Sequence, residues 1–244
     1  MTDARSRSVG PGSSVRPRAL LSWSSGKDSA WALHVLREQR DVEVVGLVTT
    51  INEAFDRVAM HAVRRSLVEQ QAAAAGLPLQ IVHLPWPCSS ELYEARLADA
   101  IARAVADGIT HMAFGDLFLE DVRAYRIRQL AGTALTPLFP LWGLPEDTSA
   151  LARTMIASGL SGVVTCTDPQ QIPEGFTGRT FDTQFLADLP SGVDACGERG
   201  EFHTFCTAGP MFHSGIDVEV GEVVSRDGFT FADLLPRDKA TVLG

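Results

Sequence analysis

The sequence predicts a doubly wound α/β fold, in which helices cover both faces of a parallel sheet, followed by a smaller C-terminal α+β lobe. Two observations favour this class. Along the first half of the chain, apolar runs of strand length alternate with segments of helical spacing, as in folds built from parallel strands and right-handed crossovers. Further along, the composition shifts toward Gly, Pro, Asp and Thr, and then toward short β-like runs.

The first elements predict one βαβ unit. Ala19–Trp23 is an apolar run of strand length, Ala30–Arg37 has the composition of a helix, and Glu43–Thr50 is a second apolar run. Continuous apolar runs are typical of strands buried on both faces of a parallel sheet. Strand, helix and strand within roughly 30 residues are the signature of this unit.

The same alternation continues through the rest of the first domain. Gly76 and Pro78 mark the end of a helix, because Gly and then Pro are common just past helix ends. Ser90 is the predicted N-cap of a long amphipathic helix. The predicted elements are a helix at His61–Ala75, a strand at Leu79–Leu84, a helix at Ser89–Gly108, a strand at His111–Gly115 and a helix at Glu120–Leu130.

The smaller lobe is predicted to begin after about Thr136, so that the first domain covers 19–136 and the lobe covers 137–244. The lobe contains a predicted helix at Thr148–Ser158, a strand at Gly162–Cys166, and β-like runs that begin at Phe202 and include Ile216–Val220. Residues 1–18 are expected to form a disordered leader, since they hold four arginines among Gly, Pro and Ser and lack the apolar segment of a secretory signal.

Composition is typical of a globular protein and argues against several classes. The 244 residues are 45% hydrophobic and 21% charged, with a net charge of −9. Nucleic-acid binding is therefore not expected, because it depends on clustered Lys and Arg. No apolar stretch approaches the roughly 20 residues that span a bilayer, which argues against a membrane protein. The four cysteines form no C-x-x-C pair, which favours reduced thiols in the cytoplasm over a zinc knuckle or a disulfide framework.

The most informative stretch is the turn Ser24-Ser25-Gly26-Lys27-Asp28-Ser29, between the first strand and the first helix. A small-residue turn that opens a helix leaves backbone N–H groups unpaired at the positive end of the helix dipole, which suits phosphate. The turn is not a Walker A loop, because no glycine stands five residues before Gly26 and Asp28 follows Lys27 where that loop needs Ser or Thr. A polar turn without a ligand is the alternative.

This turn resembles the S-G-G-K-D-S signature of the ATP pyrophosphatases, or PP-loop enzymes, with Ser25 at the position of the first glycine. Further segments resemble the diphthine-ammonia ligase family in its bacterial form. These segments are Gly115-Asp116 through Glu120-Asp121-Val122-Arg123, Pro140-Leu141-Trp142, Gly178-Arg179 and Cys196-Gly197-Glu198-Arg199-Gly200-Glu201-Phe202-His203-Thr204. The resemblance runs from about Ala19 to about Phe212, and it implies a fold of the adenine nucleotide alpha hydrolase type.

The resemblance implies an amide-forming ligase that uses ATP and Mg²⁺. A carboxylate of the acceptor would attack the α-phosphate and release pyrophosphate, and ammonia or another amine would then displace AMP. The turn 24–29 would hold the β,γ-pyrophosphate, with Lys27 neutralising its charge and with Asp28 and Asp116 as magnesium ligands. As a turn residue, Lys27 is expected to contribute little to stability. A second copy of the chain is a further candidate partner.

In the C-terminal motif, the resemblance points to Glu198 and Glu201, which would orient the acceptor or the amine. Together with Lys27 and Asp116, they are the predicted catalytic residues. A strand at this position would place Glu201 and His203 on one face, where a carboxylate beside an imidazole could serve as general acid or base. A hydrogen-bonded pair that only holds a loop in shape explains the same pattern equally well.

A second cluster follows the predicted strand at Gly115. The resemblance groups Asp116 with Glu120, Asp121 and Arg123 as a substrate-binding set. Glu120 and Arg123 are three residues apart and share a helix face, so an ordinary surface ion pair is the alternative.

Two isolated residues complete the predicted site. Arg179 is predicted to bind a phosphate or a carboxylate, because a guanidinium can donate two parallel hydrogen bonds to one such anion. His61 is a predicted neighbour of the nucleotide. Single residues of this kind are more often structural when nothing else accompanies them.

Two further functions remain open from the sequence. The same adenylation step could serve RNA modification, such as thiolation of a transfer RNA base, although the acidic balance and the lack of paired cysteines weigh against it. A nucleotide-binding sensor without turnover is the alternative that is not an enzyme.

Overall fold

The computed structural model describes residues 15–58, 62–143 and 148–237, which form two sheets with helices packed against them. The first sheet has six strands and the second has four. The first contains β1 (Arg18–Ser22), β2 (Glu43–Asn52), β3 (Arg57–Val58), β4 (Leu79–Leu84), β5 (His111–Ala113) and β6 (Thr136–Leu138), with helices α1 (Lys27–Gln39), α2 (Arg65–Ala75), α3 (Ser90–Ala106) and α4 (Glu120–Leu130). The rest comprises α5 (Thr148–Ala157), β7 (Ser161–Thr167), α6 (Thr183–Asp188), β8 (Phe202–Ala208), β9 (Val218–Arg226) and β10 (Phe229–Pro236).

The first sheet is mainly parallel, which confirms the predicted fold class. β1 lies between β2 and β5, β4 pairs with β2, and β6 pairs with β5, all in parallel, whereas the short β3 is antiparallel to β2. The chain winds outward from β1 in both directions. The topological switch point is therefore at β1 and β5, where folds of this kind bind ligands beyond the carboxyl ends of the strands.

Alternation along β1 explains how this strand is buried on both sides. Leu21 belongs to a hydrophobic cluster that also contains Leu33 of α1, whereas Leu20 belongs to a second cluster with Leu97 of α3. Successive side chains of a strand point to opposite faces, so each face receives its own layer of helices. The continuous apolar run in the sequence reflects this double burial.

The second sheet is antiparallel, with the strand order β8-β7-β10-β9. Its core is continuous with that of the first sheet, because Phe181, Phe185 and Phe205 belong to the same cluster as Leu21. An ion-pair group also joins the two sheets. Asp233 of β10 lies 2.8 Å from Arg57 of β3 and 2.5 Å from Arg64.

Several predicted boundaries differ from the observed ones. α2 begins at Arg65 rather than at His61, and Ser89, not Ser90, caps α3 by accepting a hydrogen bond from the Leu92 N–H at 3.3 Å. Thr136–Leu138 is a strand of the first sheet. The domain division expected near this strand stays a prediction, as does the order of the leader, most of which lies outside the described residues.

No helix within the described part of the chain combines the length and the apolar character needed to cross a membrane.

Candidate functional site

A cavity of 210 Å³ lies at the switch point, beyond the carboxyl ends of β1 and β5. Its walls come from the turn after β1, the segment after β5, α4 and the segment that leads into β8. Eight of the predicted site residues line it: Ser24, Gly26, Lys27, Asp28, Ser29, Asp116, Glu198 and His203. The fold thus brings together residues from three distant motifs.

Hydroxyl groups shape the turn that precedes α1. The Gly26 N–H donates to Ser24 Oγ at 3.3 Å, and Ser29 Oγ donates to the Gly26 carbonyl at 3.0 Å. Gly26 is the N-cap residue, with extended backbone angles. The helix therefore starts at Lys27, and its first N–H groups have no acceptor within the helix. One of them is used by the protein, since the Lys27 N–H donates to Thr204 Oγ1 at 3.1 Å.

Ser25 lies at the tightest point of the turn. Its φ angle is +72° and its side chain is fully buried, which is a costly conformation for any residue other than glycine. Its Oγ has no hydrogen-bond partner among the described residues. The resemblance to a motif with glycine at this position therefore has a physical reason.

Gln71 of α2 holds this turn in place. Its Nε2 donates to the carbonyls of Ser25 at 2.9 Å and Cys206 at 2.7 Å, and its Oε1 accepts from Trp23 Nε1 at 2.9 Å. Gln71 is fully buried, and the sequence analysis did not identify it. A polar residue directly before the four alanines that end α2 was the available signal.

Gly115 lets the segment after β5 approach α1 closely. A Cβ atom at this position would lie 2.9 Å from the Asp28 carbonyl carbon and the Ser29 nitrogen. Both contacts are with backbone atoms, which cannot move aside without displacing the helix. Glycine is therefore required here, and it brings Asp116 to the first turn of α1.

Lys27 is buried, contrary to the expectation for a turn residue. Only 2% of the residue is exposed. Its Nζ donates to Asp28 Oδ2 at 2.8 Å and to the Cys196 carbonyl, and it lies 5.4 Å from the ring centre of Phe202. Burial lowers the pKa of Lys27, but the charge of Asp28 and its hydrogen bond to the Lys27 Nζ outweigh this effect and raise the pKa above its usual value. Lys27 is therefore a charged core residue that also lines the cavity.

Two carboxylates, those of Asp28 and Asp116, line the cavity. Burial raises the pKa of Asp28 against the opposing charge of Lys27, and burial also raises that of Asp116 against the charge of Arg126. Asp28 Oδ1 and Asp116 Oδ2 are buried and have no hydrogen-bond partner among the described residues. A bound cation would satisfy both oxygens.

Asp28 and Asp116 fit a magnesium ion that is bound partly by the protein and partly by substrate. No group of three or more His, Cys, Asp or Glu side chains that could hold a metal occurs among the described residues. Mg²⁺ does not require such a group, because it commonly binds one or two carboxylates together with substrate phosphates and water. Asp28 and Asp116 are the residues that would hold it.

Arg126 of α4 is a functional candidate that the sequence analysis missed. Its Nε lies 3.7 Å from Asp116 Oδ2, its guanidinium lies 5.0 Å from the ring centre of Phe114, and it lines the cavity. The Nε is buried without a hydrogen-bond partner among the described residues. Arg126 is three residues beyond Arg123 on the same helix, and residues at that spacing share a helix face. The prediction for Arg123 could therefore have been extended to Arg126.

The loop 194–201 forms the opposite wall, and two of its own carboxylates support it. Asp194 Oδ1 accepts from the N–H groups of Cys196 at 2.9 Å and Glu198 at 3.2 Å. Glu201 Oε1 accepts from the Asp194 N–H and Oε2 from the Arg199 N–H, both at 2.9 Å. Glu201 is buried and is not among the residues that line the cavity. Its contacts are those of a residue that holds a loop in shape.

Glu198, three residues earlier, is placed quite differently. Its side chain lines the cavity, and its Oε1 accepts from the Leu117 N–H at 2.8 Å. Burial and the nearby charge of Asp28 raise the pKa of Glu198 to about 7. A carboxyl group with such a pKa can gain or lose a proton near neutral pH, as acid or base catalysis requires.

His203 and Thr204 begin β8 at the edge of the cavity. Burial and the charge of Lys27 lower the pKa of His203 to about 4. The imidazole is therefore neutral at neutral pH. Both oxygens of Glu201, the residue predicted to pair with it, accept hydrogen bonds from backbone N–H groups.

Four predicted substrate residues do not line this cavity. Glu120 and Asp121 are exposed in the first turn of α4, and the Arg123 guanidinium lies 4.6 Å from a ring centre of Trp142. Arg179 pairs with Asp188 at 2.6 Å. His61 lies outside the described residues.

A second cavity, of 460 Å³, adjoins the first and is lined mainly by apolar side chains. Ser22, Ser24, Phe114 and Arg126 line both cavities. The second cavity extends over the ends of β2 and β4 between Val48, Leu84, Leu97 and Met112. A small polar compartment beside a larger apolar one matches the two ends of a nucleotide.

The cysteines are not poised for thiol chemistry. Burial raises the pKa values of Cys166, Cys196 and Cys206 to about 12. The reactive form of cysteine is the thiolate, which is scarce at neutral pH for these three residues. Cys88 is half-buried on the segment before α3.

Comparison with known proteins gives one consistent result. The family model described as diphthamide synthase N-terminal domain matches residues 17–131, and the model described as diphthamide synthase C-terminal domain matches residues 147–233. Among curated proteins, the chain is similar to the diphthine–ammonia ligases of Homo sapiens and Danio rerio, each 31% identical over 120 residues, and to that of Rattus norvegicus at 30%. The match covers 47% of this chain and 44% to 46% of each relative, so the similarity spans less than half of those proteins.

Proposed function

The chain belongs to the diphthamide synthase family, and on that premise we propose that it is an ATP-dependent ligase that forms an amide from a carboxylate and ammonia or another amine. The observation that carries the proposal is the cavity at the switch point, where Lys27, Asp28, Asp116, Arg126 and Glu198 converge on one small polar space. Cations, carboxylates and a helix N-terminus in such a space suit a polyphosphate and its metal ion.

ATP would occupy both adjoining cavities. Its phosphates would lie at the turn 24–29, and its nucleoside would extend into the apolar cavity next to Val48 and Leu84. Lys27 and Arg126 would balance the phosphate charge from two sides. Because Lys27 is buried and held by hydrogen bonds, little reorganisation of this cation would accompany the reaction.

Magnesium, when bound, supplies positive charge to the phosphate oxygens. Asp28 and Asp116 would hold it through the two carboxylate oxygens that have no hydrogen-bond partner among the described residues.

The reaction would proceed in two balanced steps. An oxygen of the acceptor carboxylate attacks the α-phosphorus of ATP, the bond to the bridging oxygen breaks, and pyrophosphate leaves with that electron pair. The nitrogen of ammonia or an amine then attacks the acyl carbon, and AMP leaves. The nitrogen must lose a proton in this second step, and we assign Glu198 as the base because it lines the cavity and its pKa is about 7.

Glu201 receives a supporting role in this proposal. Its two backbone contacts hold the loop in the shape that presents Glu198 to the cavity. Its loss is therefore expected to lower the folding stability rather than the turnover of the molecules that remain folded.

Isotope-labelled ATP tests the proposal. The protein is incubated with ATP labelled at the α-phosphate, Mg²⁺, ammonium and a pool of cellular metabolites, and the products are separated. The expected products are AMP and pyrophosphate, together with a compound that has exchanged a carboxyl oxygen for NH in mass spectra. Release of ADP and orthophosphate would refute the assignment. Bound ATP with no AMP under any acceptor would favour a nucleotide sensor.

A further inference from the structure

A third cavity, of 470 Å³, lies between the two sheets next to the proposed phosphate site. One wall carries Phe55, from the β2–β3 connection, and Trp86, which follows β4. The opposite wall carries Phe229 and Phe231 of β10. His203 lines both this cavity and the phosphate cavity, so the two spaces adjoin at that side chain.

Two aromatic side chains of this cavity, those of Phe55 and Trp86, are unusually exposed. Phe55 is 52% exposed and Trp86 is 63% exposed, and their ring centres lie 5.6 Å apart in an edge-to-face arrangement. Large apolar side chains that are exposed together mark binding sites. With Phe229 and Phe231 on the other wall, the cavity offers aromatic surfaces on two sides, which suits a flat ring.

The charges that line the cavity favour an anion. The Arg226 guanidinium lies 4.5 Å from the ring centre of Phe231, and no described carboxylate forms an ion pair with it. Arg57 differs, because it is paired with Asp233 at 2.8 Å. Asp227, the acidic residue of the lining, is exposed at the β9–β10 turn with a φ of +51°. Arg226 is thus the positive group of this lining that is available to a ligand.

Resting on the proposed ligase function, we propose that this cavity is the acceptor site and that the acceptor is a small carboxylic acid with a flat ring. The ring packs between the two aromatic walls, and the charge of Arg226 attracts the anion. The carboxylate lies at the His203 side, from which it reaches the phosphate cavity. A volume of 470 Å³ is within the range of ligand pockets.

Binding of 4-fluorophenylacetate, followed by ¹⁹F NMR in the absence of ATP, tests the site directly. The probe carries both a ring and a carboxylate, and 4-fluorobenzyl alcohol and 4-fluorobenzylamine carry the same ring without the negative charge. The carboxylate is expected to bind most tightly. Tightest binding by the amine would assign the charge preference to Asp227 and overturn the proposal.

Two variants remove the proposed contacts without disturbing the core. Trp86→Ala is expected to lower the affinity for the probe about fivefold or more, because the ring contact is lost. Arg226→Gln is expected to lower the affinity for 4-fluorophenylacetate about threefold and to leave the affinity for the alcohol unchanged. Ile127→Ala and Arg128→Gln are matched controls, because both are exposed on α4 and line none of the described cavities. Unchanged affinity in both test variants would overturn the proposal.

An ATP analogue with a methylene group between the α- and β-phosphates separates this site from the nucleoside cavity. The probe is expected to stay bound in its presence, whereas displacement would place the probe in the nucleoside cavity and overturn the proposal. The ligase function is followed separately by AMP formation. Probe binding without AMP formation would support the acceptor site and contradict the proposed ligase function. If AMP forms and neither Trp86→Ala nor Arg226→Gln alters the KM for the acceptor, the ligase function would be supported and the acceptor site contradicted.

Discussion

The two loops that form the proposed phosphate site differ in how far their shape depends on distant residues. The turn 24–29 has hydroxyl contacts of its own, but distant residues hold it as well, since Gln71 and Thr204 contact its backbone and Lys27 donates to the Cys196 carbonyl. The loop 194–201 is held largely from within, because its own carboxylates at positions 194 and 201 accept four backbone N–H groups.

This difference shows why one motif is recognisable and the other misleads. Small residues before a helix identify the first turn, whatever holds it in place. In the second loop, glutamates three residues apart look equivalent in the sequence. One lines the cavity and the other braces the backbone, and only the partners of each carboxylate separate the two roles.

Lys27→Met tests the point where the two loops meet, and we expect the largest effect there. Methionine keeps much of the packing against Phe202 but leaves the Cys196 carbonyl and the Asp28 carboxylate without their donor. Breaking such a buried pair is expected to cost about 3 kcal/mol of unfolding free energy, and AMP formation should be nearly abolished. Urea unfolding and nucleotide turnover check both effects, and a stability loss below about 1 kcal/mol would restore the view of Lys27 as a simple turn residue.

Glu198→Gln and Glu201→Gln sharpen the contrast within the second loop. Glu198→Gln is expected to lower amide formation about 10²-fold, as for a lost acid or base, with little change in ATP affinity. Glu201→Gln turns one acceptor oxygen into an N–H₂ group that faces a backbone N–H, so we expect a loss of about 1–3 kcal/mol of stability.

Turnover per folded molecule should be nearly unaltered in Glu201→Gln. Melting temperature, ATP affinity and product formation are measured on both variants. If Glu201→Gln lost turnover while keeping its full stability, the assignment of Glu201 as the residue that supports the loop would be wrong.

The pH dependence of stability tests the burial of Glu198 in the second loop. The folded pKa of Glu198 is about 7, above its usual 4.5, so the folded state holds this proton more tightly than the unfolded state. The unfolding free energy should therefore fall as pH rises from about 4.5 to about 7, by about 1–3 kcal/mol from this group. The raised pKa values of Asp28 and Asp116 act in the same direction.

Urea unfolding at a series of pH values, without metal or nucleotide, measures this slope. Glu198→Gln should reduce the slope, and Glu91→Gln is a control on the exposed first turn of α3. An equal slope in Glu198→Gln and the unaltered protein would contradict the assignment.

Ser25→Gly gives the smallest expected effect and tests the first turn alone. Glycine adopts a φ of +72° without strain and removes a buried hydroxyl that has no partner among the described residues. We expect a gain of about 1 kcal/mol in unfolding free energy, with ATP binding unchanged. Ser24→Gly is the matched control, because Ser24 Oγ accepts from the Gly26 N–H and its loss should destabilise the turn.

The sequence by itself determined the fold class and the turn at which we propose that phosphate binds. Apolar runs alternating with helical segments require a layered α/β arrangement, and the turn 24–29 opens a helix whichever residues surround it. Both features depend on neighbours along the chain, so local periodicity and backbone geometry are sufficient to predict them.

Only the tertiary structure decided what each polar residue does. Lys27 became a core residue through a contact with Cys196, 169 positions away. Asp116 reached the site because Gly115 lets the segment after β5 approach α1, and Arg126 of α4 lies beside it. Glu201 was assigned to the loop by the N–H groups it accepts. Burial, charge pairing and pKa all depend on which distant groups come together, and a residue's spacing along the chain does not contain that information.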